Sequence, residues 1–424
     1  MTNEHQVLMH MRSCTARGAY REAADYAATL SPQIRNRPVV ALERSRSSLR
    51  QGCPIDAEVA LASANLETAT SGERLILAVE AASLRIYRYV AIREALEAAQ
   101  LAFSEAETSS VDAVNRAEAE RVYIRILLTA ATYFEISEEQ AQQARDRLSS
   151  IAETLEMAGR VDEALAAQFT YAQRLDDIAA RLNALIQVAD RAGWAHRFDL
   201  AGEAHCVRGE YLLSSGAPSD AICAALDVAT ALYEKADHLY GAIDVQRVRA
   251  RLEIERNLES PDILVACLEA YRQVDFPRGV LNVLMDLSQI AHDRGDTEMA
   301  RSYRQQTIEL AESVGMGLAR DSFQTAQIDL LMRNADYGSA IELCQAAIAT
   351  EPPAMNKAGY EQLLAAAYSF INNLDAACAH GYKAIATFET IGAIDAASDA
   401  AMKLASDLSS LRQEHNWQKA EKLL

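Results

Sequence analysis

Two cysteine–histidine neighbours are the residues of this sequence that come closest to a catalytic nucleophile and its base. Cys206 directly follows His205, and Cys378 lies two positions before His380. Both pairs fall in stretches with helical periodicity, and side chains one or two positions apart on a helix point in different directions. The sequence offers neither a third group to orient the histidine nor a strained turn to expose the cysteine. We therefore expect no catalytic residues and no enzymatic activity.

Metal and phosphate sites have equally little support. The histidines are dispersed, and the spacing between His196 and His205 places the two residues on different helical turns. The chain contains no H-E-x-x-H motif, no G-x-x-x-x-G-K-[ST] loop and no G-x-G-x-x-G fingerprint. We expect neither a bound metal ion nor a cofactor.

The 7 cysteines indicate a reducing compartment. They are odd in number, scattered and never arranged as C-x-x-C, which predicts neither a disulfide framework nor a zinc site. Most lie in apolar helical stretches, where a free thiol behaves as a small hydrophobic group. The first residues show no signal-peptide pattern, and no run approaches about 18 uninterrupted apolar residues. These features predict a cytoplasmic protein that does not span a membrane.

Composition favours an all-α fold. Half of the 424 residues are hydrophobic, only 6% are aromatic and alanine is abundant, which suits close packing of helices. The chain has only 17 glycines and 8 prolines, fewer turn residues than an all-β fold of this length requires.

The formal net charge of -19 bears on the choice of partner. An acidic chain is repelled by phosphate backbones, so we do not expect nucleic acid as a partner. A basic protein surface is the natural electrostatic complement. The alternative is that the charge only keeps a long, alanine-rich protein in solution.

The stretch from 280 to 307 shows the organisation of the chain most clearly. Apolar and small residues recur at helical spacing in its first half, Gly295-Asp296 breaks the pattern, and Ala300 opens a second apolar face. The first apolar face consists of Leu284, Leu287 and Ala291, with the small Ser288 beside them. The pattern predicts two antiparallel helices joined by a tight turn.

This stretch resembles a tetratricopeptide repeat (TPR), and similar units recur along about three quarters of the chain. The units average about 40 residues, compared with about 34 in the commonest TPR, which resembles the longer-helix TPR class. Relatives of that class include kinesin light chain, spindle-orientation adaptors, bacterial peptide-sensing regulators, and the sensor arms of signal-transducing ATPases and CHAT proteases. The resemblance implies an all-α, right-handed α-solenoid of about nine or ten antiparallel helix pairs, each stabilised by its neighbours.

Equivalent alanines reveal one irregularity in the repeat. The pattern pairs the helix before Gly159, as a first helix, with a second helix that carries Ala164. The next equivalent, Ala221, is 57 positions further on, whereas later equivalents are separated by 40, 37 and 43 positions. Either the helix near Asp162 is very long or an additional helix covers 175–191. The later equivalents are Ala300, Ala340, Ala377 and Ala420.

The regularity of the repeats also predicts two regions. Residues 1–135 read as divergent TPR-like repeats, and residues 136–424 as a TPR array. The last first helix spans about 395–411, and Trp417 and Ala420 begin its partner. Few residues remain for that partner, compared with the about 12 of an average helix, so we expect either a last repeat truncated from a longer protein or a short capping helix.

In a TPR array the first helices line the concave face, so the resemblance implies partner-binding residues there. Arginine and tyrosine side chains on this face could clamp a carboxylate or a peptide backbone. The alternative is that the arginines pair weakly with carboxylates of neighbouring helices. The candidates match no carboxylate-clamp motif. They are Arg85, Tyr87, Arg88, Arg121, Tyr123, Arg125, Met285, Gln289, His292, Gln362 and Phe370.

Three hypotheses for function follow. The first is a TPR scaffold that binds a protein or peptide segment in its concave groove. The second is a sensor or regulatory arm of a larger signalling protein, such as a STAND-type ATPase, a transcription regulator or a CHAT-type protease, whose effector lies outside this chain. The third is an enzyme, which requires acids and a histidine that converge in space.

Overall fold

The computed structural model describes residues 4–88, 91–107, 111–130, 138–175, 177–255, 261–314, 324–325, 328, 331–332, 335–350, 352 and 354–410. Within these ranges the regular secondary structure is helical and contains no β-strand, which confirms the all-α prediction. None of the helices in the described ranges combines the length and the apolar character that a bilayer crossing requires.

Two compact units divide the chain. Unit 1 comprises residues 1–296 and 314–316, and unit 2 comprises residues 297–313 and 317–424. The helices of unit 1 are α1 (Glu4–Thr15), α2 (Tyr20–Ala28), α3 (Pro32–Arg35), α4 (Pro38–Arg50), α5 (Pro54–Ala62), α6 (Ser71–Arg88), α7 (Ile92–Glu107), α8 (Ala113–Ala130), α9 (Glu138–Met157), α10 (Val161–Ala172), α11 (Ile178–Trp194), α12 (Phe198–Ser214), α13 (Ser219–Ala236), α14 (Gly241–Glu255), α15 (Asp262–Gln273) and α16 (Pro277–Asp293). The helices of unit 2 are α17 (Thr297–Ser313), α18 (Tyr337–Ala349), α19 (Ala354–Phe370), α20 (Leu374–Thr390) and α21 (Ile394–Ser410).

Inner helices of unit 1 surround a central cavity. Side chains from α4, α6, α8, α10, α12, α14 and α16 line it, whereas none of the described residues of α9 and α11 does. The additional helix predicted over 175–191 is α11, so the alternative of one very long helix is wrong. The sequence pattern predicted α9 as the first and α10 as the second helix of one pair, and this order is wrong. Helix α9 follows the inner helix α8, and α10 is itself an inner helix because Asp162, Glu163 and Thr170 face the cavity.

Packing of successive helices explains why the alanine-rich faces are buried. One cluster joins Leu165 and Phe169 of α10, Leu185 and Ala189 of α11, and Ala204 of α12. Leu165 and Leu185 are fully buried, and burial of a leucine side chain stabilises the fold by about 2 kcal/mol. The small side chains let neighbouring helices approach closely, so each helix completes the core of the helices beside it.

The turn after α4 shows how a glycine ends an inner helix. Gly52 has φ +72°, a left-handed conformation that costs other residues free energy. Its N–H donates to the carbonyl of Leu49 at 2.9 Å, and the N–H of Cys53 donates to Ser48 at 2.9 Å, which caps the helix. A Cβ atom on Gly52 would lie 2.9 Å from Cε1 of His238. The turn therefore needs glycine for its conformation and for a close approach to a distant part of the chain.

Long-range contacts close unit 1 upon itself. The hydroxyl of Tyr20 donates to Asp199 at 2.9 Å, and the backbone N–H of Leu239 donates to the carbonyl of Gln51 at 2.8 Å. We call these and the following pairs the closing contacts, since they join the first helices of unit 1 to α10 and later helices. Further closing contacts pair Arg50 with Asp162, Arg88 with Asp275 and Tyr87 with Tyr240.

Unit 2 repeats the same local pattern of helix pairs. Tyr360 and Leu364 of α19 pack against Cys344 and Ala347 of α18, and Phe388 of α20 packs against the first half of α21. The predicted second helix of the last pair, with Trp417 and Ala420, lies outside the described residues.

The two helices predicted from 280 to 307 are present as α16 and α17, of which α16 belongs to unit 1 and α17 to unit 2. The sequence-based boundary at residue 135 concerns the regularity of the repeats rather than compactness, and it stays a prediction.

Candidate functional site

The central cavity of unit 1 is the candidate binding site. Its volume is about 340 Å³, within the range of about 300–1,000 Å³ that is typical of ligand pockets. Seven inner helices, the turns next to them and Tyr233 of α13 contribute to its wall, so ligand contacts would be spread over most of unit 1.

Helical spacing places the lining residues. On α6, Glu80, Ser83 and Tyr87 follow one another at intervals of three and four positions, so they form one stripe along the helix. Arg121 and Arg125 of α8 are four positions apart and face the cavity together. Each inner helix thus carries a polar stripe toward the cavity and an apolar face toward its neighbours.

The cavity wall is charged but nearly neutral. It contains eight arginines and seven carboxylates, so its formal charge is close to zero although the whole chain carries -19. The excess negative charge therefore lies elsewhere. The arginines are Arg46, Arg50, Arg121, Arg125, Arg174, Arg197, Arg247 and Arg278, and the carboxylates are Glu80, Asp162, Glu163, Asp199, Glu203, Glu210 and Asp244.

Arg46 is the centre of a buried ion-pair network. Its guanidinium donates to Glu80 and Glu163 at 3.0 Å each, and also to Glu118, which is completely buried. Burial opposes the charge on Arg46, but the three carboxylates raise its pKa. Burial acts against the Glu163 carboxylate as well, yet Arg46 and then Arg160 hold the pKa of Glu163 at about 2. The network locks α4, α6, α8 and α10 together.

A second network surrounds Asp199 at the start of α12. Arg197 donates to both carboxylate oxygens, at 3.0 and 2.9 Å, and Tyr20 donates to Oδ1. Burial opposes ionisation, but the Arg197 charge and these hydrogen bonds lower the pKa of Asp199 to about 2. Asp199 therefore carries a negative charge that is already neutralised by protein groups.

Arg247 of α14 forms the third network. It donates to Asp286 at 2.8 Å and to Glu210, while the hydroxyl of Tyr271 donates to Asp244. These pairs link α12, α14, α15 and α16 around the far wall of the cavity.

Aromatic side chains form one part of the wall. The rings of Tyr240 and Phe276 stack with centroids 4.3 Å apart, and the ring centroid of Tyr87 lies 5.7 Å from that of Phe276. His238 packs edge-on against Tyr240, and burial lowers the pKa of His238 to about 4, so the imidazole is neutral at pH 7. This wall offers apolar area and hydroxyl groups to a ligand.

Glu203 differs from the other carboxylates of the wall. Within the described part of the chain it has no hydrogen bond and no ion pair within 4.0 Å. Burial raises the pKa of Glu203, although Arg278 and Arg125 act in the opposite direction through space. A buried acid with a raised pKa in a cavity is typical of functional sites.

Three of the predicted partner-binding residues, Tyr87, Arg121 and Arg125, line the cavity. Arg88 instead forms ion pairs with Glu58 and Asp275, as the alternative interpretation of the arginines expected. Arg121 also follows that alternative in part, since one of its nitrogens lies 3.6 Å from Glu80.

The other predicted residues lie outside the cavity wall. In unit 1, Arg85 and Met285 are exposed and His292 is half-buried. Gln289 donates to Asp293 at 2.7 Å, and Tyr123 packs against the ring of Phe103. In unit 2, Gln362 is half-buried, and Phe370 is exposed and stacks on Tyr337. Their role in binding stays a prediction.

Sequence analysis missed most of the charged wall, including Arg46, Glu203 and Arg247. The available signal was the recurrence of charged residues at intervals of three, four and seven positions on each inner helix, as in Asp199, Glu203 and Glu210. Such stripes are normally solvent-exposed, and only the closing contacts turn them toward a cavity.

One cluster near the start of the chain has the residue types of a metal site. The ligand atoms of His10, Cys14 and Glu22 lie within 4.8 Å of one another. However, the guanidinium of Arg17 donates to the Cys14 sulfur at 3.6 Å and to Glu22 at 3.3 Å. A positive charge thus already occupies the position that a cation would take.

The fold of this chain is similar to that of proteins of known structure. No protein-family model matches the sequence, and no curated protein matches it. The structure of a Rap protein complexed with Competence and Sporulation Factor is similar, with TM-score 0.56, 13% identity, and coverage of 74% of this chain and 89% of that one. Yeast Tom70 gives TM-score 0.40 at 15% identity, over 99% of both chains.

A third similar structure is a Pyrococcus horikoshii STAND protein with a tetratricopeptide repeat sensor. It gives TM-score 0.36 at 13% identity, and covers 92% of this chain and 72% of that one. The helix pairs and the similarity to the Rap protein agree with the resemblance found in the sequence, and the chain is an all-α repeat protein with the tetratricopeptide-type fold.

Proposed function

We propose that unit 1 is a binding module that holds a peptide or an extended protein segment in its central cavity. The observation that carries this proposal is the composition of the wall, which combines guanidinium, carboxylate, hydroxyl and amide groups with a cluster of aromatic rings. An extended backbone presents donors and acceptors along its length, and such a wall can satisfy both. The Rap protein of similar fold, whose structure is a complex with Competence and Sporulation Factor, supports this proposal.

A binding role explains the cavity better than catalysis does. Cys206 lines the cavity, but burial raises its pKa well above the usual value, which disfavours the reactive thiolate. The imidazole of His238 is uncharged at pH 7, and its Nδ1 accepts a hydrogen bond from the backbone N–H of Gly241 at 3.0 Å. His380 bonds to Glu361 rather than to a cysteine. A nucleophile activated by a base is therefore not assembled around these residues.

The charge of the chain and its free cysteines support a proposal for the partner and for the cellular compartment. The negative charge outside the nearly neutral cavity favours a partner with a basic surface. The cysteines are free, and five of them are buried, which fits a reducing cytoplasm. A sensor arm of a larger signalling protein would use the same cavity to detect its ligand, so this hypothesis is compatible with the proposed binding role.

Selection from a library of random heptapeptides on the full chain tests the proposal. Ala166 lies in the cavity wall, so Ala166→Phe fills part of the cavity, whereas Ala224→Phe adds the same ring to the exposed side of α13. We expect selected peptides to bind the wild-type protein and the Ala224 variant equally. They should bind the Ala166 variant about tenfold or more weakly, as measured by fluorescence anisotropy. Failure to enrich any sequence, or equal binding to both variants, rejects the proposal.

A further inference from the structure

Two arginines on one side of the cavity stand close together without matching acids. Arg121 and Arg125 are separated by one turn of α8 and both line the cavity. Like charges at this spacing repel each other, and the repulsion is stronger away from bulk water. Such an arrangement needs a compensating negative charge.

Arg121 is incompletely neutralised by the protein. Arg121 is 5% exposed, and its Nε has no hydrogen-bond partner. Its ion pair with Glu80 has a nitrogen–oxygen distance of 3.6 Å, longer than a charge-assisted hydrogen bond. Burial, together with the charges of Arg125 and Arg46, lowers the pKa of Arg121 to about 10, although Glu80 acts in the opposite direction. An unpaired buried donor of this kind is costly and requires an explanation.

Arg125 also lacks an acidic partner. Its guanidinium donates to the hydroxyl of Ser83, and among the described residues no carboxylate oxygen lies within 4.0 Å of it. Glu203 acts on it only through space. The side chain therefore keeps donors that a ligand in the cavity can reach.

The acids that form ion pairs in this part of the wall cannot supply the missing charge, because Arg46 and Arg160 already use them, and Glu203 acts on Arg125 only through space. In this part of unit 1, three carboxylates are shared among four guanidinium groups, which leaves one positive charge in excess. The carboxylates are Glu80, Glu118 and Glu163, and the guanidinium groups belong to Arg46, Arg121, Arg125 and Arg160.

We propose that Arg121 and Arg125 form an anion subsite of the cavity, which binds a carboxylate or phosphate group of the ligand. This inference rests on the proposed binding function and specifies part of its ligand. Two guanidinium groups one helical turn apart can each donate to one oxygen of the same anion. Glu203 lies in the same cavity and limits the tolerated negative charge, so a singly charged carboxylate fits better than a dianion.

Three small probes test the subsite on the full chain. They are acetyl-Gly-Gly with a free carboxylate, the same compound as its C-terminal amide, and inorganic phosphate. By calorimetry at constant ionic strength, we expect the acid to bind about tenfold or more tightly than the amide, because a charge-assisted contact is lost. Inorganic phosphate tests whether the subsite prefers a phosphate group to a carboxylate, and we expect phosphate to bind more weakly than the acid.

Arg125→Gln should weaken binding of the acid about tenfold or more. Arg116 is an exposed arginine on the same helix outside the cavity, so Arg116→Gln is the matched control and should leave binding unchanged. Equal binding of acid and amide, or equal effects of the two variants, overturns the subsite. A measurement that needs no variant is the Nε–H resonance of Arg121 in the wild-type protein, which should move with the acid and not with the amide.

The outcomes separate this inference from the proposed function. If library-selected peptides depend on Ala166 but are indifferent to Arg125→Gln, peptide binding stands and the subsite is rejected. If the small acid binds through Arg125 and no peptide is enriched, the subsite stands and peptide binding is rejected.

Discussion

The hydroxyl of Tyr20 donates a 2.9 Å hydrogen bond to the carboxylate of Asp199, a residue 179 positions further along the chain. The same hydroxyl lies 3.0 Å from the backbone carbonyl of His196. Most contacts in a helical-repeat protein join neighbouring repeats. This one joins α2 to α12, and it is one of the closing contacts that make the cavity possible.

Tyr20→Phe should destabilise unit 1 by about 1–2 kcal/mol. The ring stays in place, but a buried hydrogen bond to a charged group is lost. Urea denaturation followed by circular dichroism measures the change. Tyr26→Phe on the same helix is the control, since its ring packs at a tilt against His10 and no described contact uses its hydroxyl. Equal stability of the two variants would show that the contact contributes nothing.

Acid should lower the free energy of unfolding, partly through protonation of Asp199. Its pKa in the folded protein, about 2, is below the ordinary value of 3.8, so folding favours the ionised form. The resulting stabilisation, about 2 kcal/mol, is fully present above about pH 4 and is lost as the pH falls toward 2. Denaturation of the wild-type protein and of Asp199→Asn at several pH values should therefore show a stability difference that narrows on acidification. A constant difference between pH 6 and pH 3 contradicts this prediction.

Gly52→Ala should cost more stability than Gly159→Ala. Both glycines have φ near +72°, so both substitutions carry the same cost of about 1 kcal/mol for the left-handed conformation. Only at Gly52 would the new methyl group meet another residue, at 2.9 Å from His238, whereas at Gly159 nothing lies within 4 Å. We expect an extra destabilisation of about 1–3 kcal/mol from the overpacking. Thermal unfolding of the two variants measures the difference directly.

Glu118→Gln should be among the most damaging single substitutions. Glu118 is completely buried and accepts hydrogen bonds from Arg46 and Arg160, so loss of its charge leaves the buried Arg46 with one carboxylate fewer. We expect a loss of about 3–5 kcal/mol in the free energy of unfolding. Glu22→Gln removes an exposed pair with Arg17 and should change stability little. Similar denaturation midpoints for the two variants would mean that the buried network is unimportant.

The sequence predicted the helices well because their ends carry strong local signals. Gly295 has φ +78° and ends α16 as its position indicated. The order within helix pairs was harder to predict, because glycine also occurs in turns that lead from an outer to an inner helix. Gly159 is such a turn, and its φ of +73° is the same as at the end of an inner helix. Local patterns therefore identify a turn without specifying its direction.

The cavity could be predicted only in part for a related reason. Tyr87, Arg121 and Arg125 were found because the TPR resemblance assigns their helices to the concave face. Arg46 was missed because its partner Glu163 is 117 positions away, and no local spacing reveals such a pair. Residues that meet through the closing contacts become visible only once the path of the chain is known.

The closing contacts also determine when unit 1 can finish folding during synthesis. A ribosome releases α1, α2 and α4 long before it has made α12 and α14, and domains normally fold as their residues emerge. Tyr20 must wait for Asp199, which is made 179 residues later, and Gln51 must wait for Leu239, so the earliest helices are made well before these partners. Pairing across such long separations is slow, because a large loop must close first. We therefore expect α1, α2 and α4 to need chaperone protection until α12 and α14 have been made.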